Sequence, residues 1–231
     1  MAVIALNISA FSNAMPISAA ARLMIPAVAG AWTGLAAAVA AAGMFADTSL
    51  LFPWIGAFVA FPLVAVSGAA VLFPAVRSAL LGIPLPTLVG LNIARVLGAF
   101  FIVLAWSNRL GGPFPQSAGW GDIITGALAV AVMPLAARVS AGADRAIWMW
   151  NAFGALDLFA AVALGVMSAN GGPLQLIHAG AGSVAVLMLP WALIPSVLVP
   201  FYLITHGIIL AQLLARRADP YAPTHAATEA A

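Results

Sequence analysis

Apolar residues run along the chain in six long blocks, near 23–45, 51–74, 86–106, 121–137, 147–168 and 190–214, each closed by Gly, Pro, Asn or charged residues. About 20 helical residues cross a bilayer core of about 30 Å, so each block predicts a membrane-spanning helix. The runs are continuous rather than alternating and rich in Ala and Leu, which excludes lipid-facing strands. The expected fold is therefore all-α, a polytopic membrane bundle of six transmembrane helices. The fourth block is short at one end and is expected to begin in the interface. Residues 173–189 are apolar enough to tempt a seventh span.

Arginine placement decides the count and the orientation, because positive charge is retained on cytoplasmic loops. With six spans and both termini inside, Arg22, Arg77, Arg138, Arg145, Arg216 and Arg217 all face the cytoplasm; only Arg109 lies outside and Arg95 lies within a span. One span more or fewer scatters these residues over both faces, so 173–189 is expected to be an outer interfacial or re-entrant segment. Residues 1–22 form an amino-terminal segment with no Lys or Arg before its short apolar run, which argues against a secretory signal and predicts weak structure. Residues 23–215 form a single bundle, and 216–231 a polar cytoplasmic tail.

Composition narrows the chemistry. Apolar residues make up 65% of the chain and charged residues 6%, against about 25% charged in soluble domains. Mean hydropathy is +1.13 and the pI is near 9.9, but the formal charge is only +2, so no nucleic-acid partner follows. Cysteine is absent, which removes disulfides, thiol catalysis and thiolate metal sites. Lysine is absent too, which removes Schiff-base cofactors. His178, His206 and His225 are too few and too scattered for a two-histidine haem. The sequence therefore calls for no cofactor and no metal.

Helices in lipid associate through close backbone contact and interhelical hydrogen bonds. Small residues recur at Gly30, Gly34, Ala38 and Ala42, at Gly90, Ala94 and Gly98, and at Gly154, Ala161 and Gly165 with Asp157 on the same face. Packing within the bundle is the first reading of these stripes. Pairing of two copies through Gly30, Gly34 and Ala38 is the second; the bilayer itself is the remaining partner. Pro190, Pro195 and Pro200 predict a kinked or broken start to the last span. Tryptophans near span ends, Trp148 and Trp150 among them, read as interface anchors.

Two ionisable residues fall near the bilayer midplane, Arg95 in the third span and Asp157 in the fifth. A charge there costs about 3 kcal/mol on insertion scales, so each needs a partner. Arg95 and Asp157 are expected to pair, with Asn92 and Asn151 completing a polar network. His206 is a further candidate, as a proton relay. Residues 119–122 read Gly-Trp-Gly-Asp, a GxGD string like that of intramembrane aspartyl proteases. Such enzymes need a second carboxylate facing Asp122. The only earlier acid is Asp47, Asp157 follows in the wrong order, and Asp122 is expected at the outer end of its helix, near a Gly turn. Asp122 is therefore the weaker candidate.

Three strings, AGWGDIITG (118–126), LPWALIPSVLVPFYLITH (189–206) and IPLPTLVGLNIARVLGAFF (83–101), resemble a group of uncharacterised small bacterial multi-pass membrane proteins. The resemblance implies a bacterial inner membrane and supplies no activity. The residues themselves favour a transporter-like or small-solute and proton-binding protein with a midplane polar site. A non-catalytic membrane subunit or scaffold is the alternative, and an intramembrane enzyme of the GxGD type comes third.

Overall fold

A computed structural model describes residues 1–47 and 54–218. Six helices are long and apolar enough to cross a membrane: Ala19–Ala41 (α2), Trp54–Leu72 (α3), Leu85–Trp106, Phe114–Ala136 (α7), Ala141–Met167 (α8) and Ile194–Arg217. The third of these is composite, with α5 (Leu85–Leu91), a 3-10 stretch (Asn92–Gly98) and α6 (Ala99–Trp106) in line; the sixth is a π turn (Ile194–Leu198) leading into α9 (Val199–Ala218). The protein is an all-α, multi-pass membrane bundle. Residues 51–53 of the second expected span and the tail beyond 218 lie outside the described residues.

Two expected boundaries are corrected. The fourth span begins at Phe114, well before 121: Pro115 sits in its first turn, where a missing N–H costs no helical hydrogen bond. The polar run after it lowers local hydropathy without ending the helix. The fifth begins at Ala141, where Ser140 accepts from Ala143 N at 3.2 Å, a side-chain cap on the helix.

The amino-terminal segment is also ordered. Ala2–Ala14 (α1) is a helix that buries Ile4, Asn7 and Phe11, spaced i, i+3 and i+7 along one helical face. Phe11 and Met15 pack with Leu80 and Ile83, while Ile4 packs with Ala36 and Ala192. Arg22 donates to Met15 O and Ile17 O, closing the turn into the first span.

One end of the bundle gathers Arg22, the short helix Pro74–Leu81 (α4) with Arg77, the turn with Arg138, and Arg216. There Arg216 pairs with Asp144 at 2.9 Å, and Gln212 Nε2 donates to Leu81 O and Ile83 O. The other end is capped by residues 168–193, which contain a single 3-10 turn (Val184–Leu187) and no spanning helix. Ser183 Oγ donates to Gly165 O at 2.5 Å, and Gly111 N donates to Gly182 O. The segment lies as an irregular cap over the span ends.

The proline-rich start of the last span behaves as its sequence demands. Pro200 has no N–H for the carbonyl four residues earlier, that of Ser196. Trp32 Nε1, from the first span, donates to that oxygen at 3.0 Å. The small-residue stripes divide. Those of the third and fifth spans pack inside the bundle. Gly30, Gly34, Ala38 and Ala42 are exposed, and a β-carbon on Gly30 or Gly34 would meet nothing within 4 Å, so among the described residues the first-span stripe packs against no neighbouring helix.

Candidate functional site

The site begins with an irregularity in the third span. Asn92–Gly98 winds as a seven-residue 3-10 helix, longer than the three or four residues usual for that form. Its period of three puts Asn92, Arg95 and Gly98 on one face, and all three are buried. That face meets α7, whose glycines permit backbone-to-backbone approach. A β-carbon on Gly126 would lie 2.7 Å from Val96 N, and one on Gly119 would lie 3.2 Å from Gly98 O.

Arg95, its side chain fully shielded, is the hub. Nε donates to Asp122 Oδ1 at 2.7 Å, and Nη2 donates to Asp157 Oδ2 at 2.6 Å. Nη1 donates to Gly154 O and to His206 Nε2, both at 3.1 Å. Guanidinium has no acceptor, so His206 Nε2 must accept and the ring proton must sit on Nδ1. Nδ1 then donates to Asn151 Oδ1 at 2.8 Å, while Asn151 Nδ2 donates to His206 O at 3.2 Å. The Tyr202 ring lies 5.9 Å from the guanidinium carbon, within cation–π range.

Three glycines make the room. A β-carbon on Gly98 would fall on the Asp122 side chain, and one on Gly121 would fall on the Asp157 carboxylate. On Gly154 it would lie 2.7 Å from His206 Cε1. The Gly-Trp-Gly-Asp string is thus a packing device: Gly119 admits the third span, Gly121 admits Asp157, and Asp122 binds Arg95.

Two cavities converge on this cluster. One, of about 110 Å³, descends from the end opposite the arginines past Phe45, Trp54, Phe114 and Val162 to Asp122. The other, of about 200 Å³, is bordered by Leu97, Phe100, Trp191 and Tyr202 and reaches Arg95 and Asp122. Leu97 and Phe100 are exposed on the apolar flank of the third span, so this second cavity is lateral. Asp122 lines both, whereas Asp157 lines neither. Each carboxylate engages Arg95 through one oxygen, Oδ1 of Asp122 and Oδ2 of Asp157, and the Asp122 side chain is 15% exposed against 7% for Asp157.

Of the residues expected from sequence, Arg95 and Asp157 meet directly, and His206 and Asn151 join through the imidazole. Asn92 sits one 3-10 turn away, and its side chain hydrogen-bonds elsewhere, donating to Leu88 O and Thr205 Oγ1. Asp122 is corrected outright: it is no helix-start residue but lies well inside α7, as the second counter-charge of Arg95. Trp150 is also corrected, from interface anchor to core residue. It donates to Thr125 O at 3.0 Å and packs 5.4 Å from the His206 ring. Tyr202 is not among the residues expected from sequence; its place one helical turn before His206 is the signal that could have found it. The Gly154 carbonyl carried no sequence signal.

The family described as Domain of unknown function (DUF8737) matches residues 52–214. The chain belongs to the DUF8737 family. The matched stretch contains every member of the Arg95 cluster and both aspartates; α1 and the first span fall outside it. No curated protein and no solved structure matches the chain.

Proposed function

We propose that this DUF8737 protein is a small transporter-like protein of the bacterial inner membrane, with its arginine-bearing end cytoplasmic and the Arg95 cluster as a midplane site that exchanges a proton. One observation carries the reading: of the two carboxylates paired with Arg95, Asp122 lines both cavities and Asp157 lines neither. The formal charges point the same way. One guanidinium and two ionised carboxylates with a neutral imidazole sum to −1. A proton or other monovalent cation on the accessible carboxylate brings the cluster to zero, which a low-dielectric interior favours. Ionisable groups inside a membrane mark ion and proton pathways for this reason.

The roles separate by placement. Asp157, backed by Gly121 and away from both cavities, holds Arg95 in place; Asp122 is the exchanging group; Asn151 fixes the His206 tautomer that Arg95 requires. The arrangement favours a static scaffold less, because a purely structural ion pair needs no cavity at its carboxylate. It also disfavours aspartyl protease chemistry. Arg95 bridges the two carboxylates, which that chemistry needs free to share a proton across a water.

Infrared difference spectroscopy on the purified protein tests the reading without a ligand. Acidification should produce a protonated-carboxyl band that Asp122→Asn removes and Asp144→Asn leaves in place. An unchanged band in folded Asp122→Asn protein would overturn it.

A further inference from the structure

The cavity that descends to Asp122 has a composition that selects its occupant. Among the described residues its wall is apolar apart from Ser183 and two ionisable groups, Asp47 and Asp122. Both are acids, and no Arg, Lys or His contributes to it. Asp47 lies towards the outer end, in the turn after the first span, and Asp122 closes the floor. Between them stand aromatic rings: Phe45, Trp54, Phe101 and Phe114, the last two packed edge to face with centroids 5.6 Å apart. Carboxylate below and aromatic faces around are what a cation with an apolar body needs, since ring quadrupoles attract positive charge and the walls accept hydrocarbon. A volume of about 110 Å³ is comparable to engineered apolar cavities that take a single benzene ring.

Resting on the reading of Asp122 as the exchanging carboxylate, we infer that the cargo is a small lipophilic organic monocation, such as a quaternary or protonated amine, whose charged head replaces the proton at Asp122. The exchange balances in charge. With a proton on Asp122 the cluster is neutral; when the cation arrives the proton leaves Asp122 for solvent, and the cluster with its cargo is neutral again. Binding of one cation therefore displaces one proton. Arg95 does not repel the cargo outright, because its charge is already met by Asp157 and by the Gly154 carbonyl.

Benzyltrimethylammonium is a suitable probe, because its charge does not change with pH, and neopentylbenzene is its uncharged carbon analogue. Binding of each to the full chain in nanodiscs, with empty nanodiscs subtracted, reads charge selection directly. The wild-type protein should bind the cation roughly tenfold or more tightly than the neutral analogue, and Asp122→Asn should abolish that preference. On the acid side, apparent affinity should fall about tenfold per pH unit, the slope of one-proton linkage. That slope is measured on the wild-type protein and stands even if Asp122→Asn fails to fold. Val162→Phe, which fills the cavity without touching the ion pairs, should weaken binding while the Asp122 infrared band persists.

Equal binding of the two probes, preference for benzenesulfonate, or cation binding indifferent to pH would overturn the inference. If the infrared band of Asp122 is present and the cation is not preferred, the cargo assignment alone fails. If the band is absent, the proton-exchange reading fails with it.

Discussion

Replacing the charges of the Arg95 cluster one at a time tests whether it is a single energetic unit. Arg95→Met leaves two carboxylates facing each other with no counter-charge, a formal −2 in a site where Asp157 is only 7% exposed. Removing one partner of a buried pair costs about 3–5 kcal/mol, and here the loss falls on two pairs at once, so Arg95→Met should lie at or above the top of that range. Asp157→Asn or Asp122→Asn leaves Arg95 one carboxylate and a neutral sum. The amide oxygen still accepts from guanidinium, so each should cost about 1–3 kcal/mol, the worth of a charged hydrogen bond. Asp157→Asn should cost more than Asp122→Asn, because its side chain is the less exposed. The triple variant Arg95→Met, Asp122→Asn, Asp157→Asn restores neutrality and should recover much of the Arg95→Met loss. Thermal unfolding of detergent-purified protein, read by fluorescence-detected size exclusion, gives the ranking. A triple variant no more stable than Arg95→Met, or an Arg95→Met loss no larger than that of Asp122→Asn, would refute the argument.

Gly121→Ala should destabilise by about 1–3 kcal/mol, because its methyl falls on the Asp157 carboxylate. Gly34→Ala, with open space around it, should be neutral or stabilise by up to about 1 kcal/mol through helix propensity; the two melting temperatures give the comparison. Reporter fusions at Ala143 and Gly112 should report cytoplasmic and external locations respectively, and an external Ala143 would reverse the orientation.

The spans were legible because hydropathy over some 20 residues is a strong signal, and the arginine pattern removed the seventh candidate. Where boundaries slipped, the cause was local. Phe114–Trp120 carries Pro, Gln, Ser and Gly, which read as loop in isolation but sit in the first turns of α7 with the bundle around them. The amino-terminal helix was missed because its buried positions become a signal only once a groove exists to receive them. Arg95 and Asp157 could be paired from depth and charge alone. Asp122 could not, since its depth depended on the α7 boundary: seven residues of extra helix turn an outer-end aspartate into a buried counter-ion. The 3-10 winding of Asn92–Gly98 left no trace in hydropathy, yet it aligns Asn92, Arg95 and Gly98 on one buried face.

Two aspartates for one arginine is more negative charge than a structural ion pair requires. A single carboxylate neutralises a buried guanidinium, and a second adds a formal charge that the membrane interior penalises. The two also differ in what surrounds them: Asp157 is backed by Gly121 and touches neither cavity, while Asp122 lines both. Such asymmetry permits one carboxylate to gain and lose a cation while the other keeps Arg95, and through it His206 and Asn151, in register. Occupancy of Asp122 can therefore change without unfolding the hub. The glycines at 98, 121 and 154 are then the positions where the bundle yields side-chain volume to that hub, and the 3-10 segment is the piece of backbone that presents it.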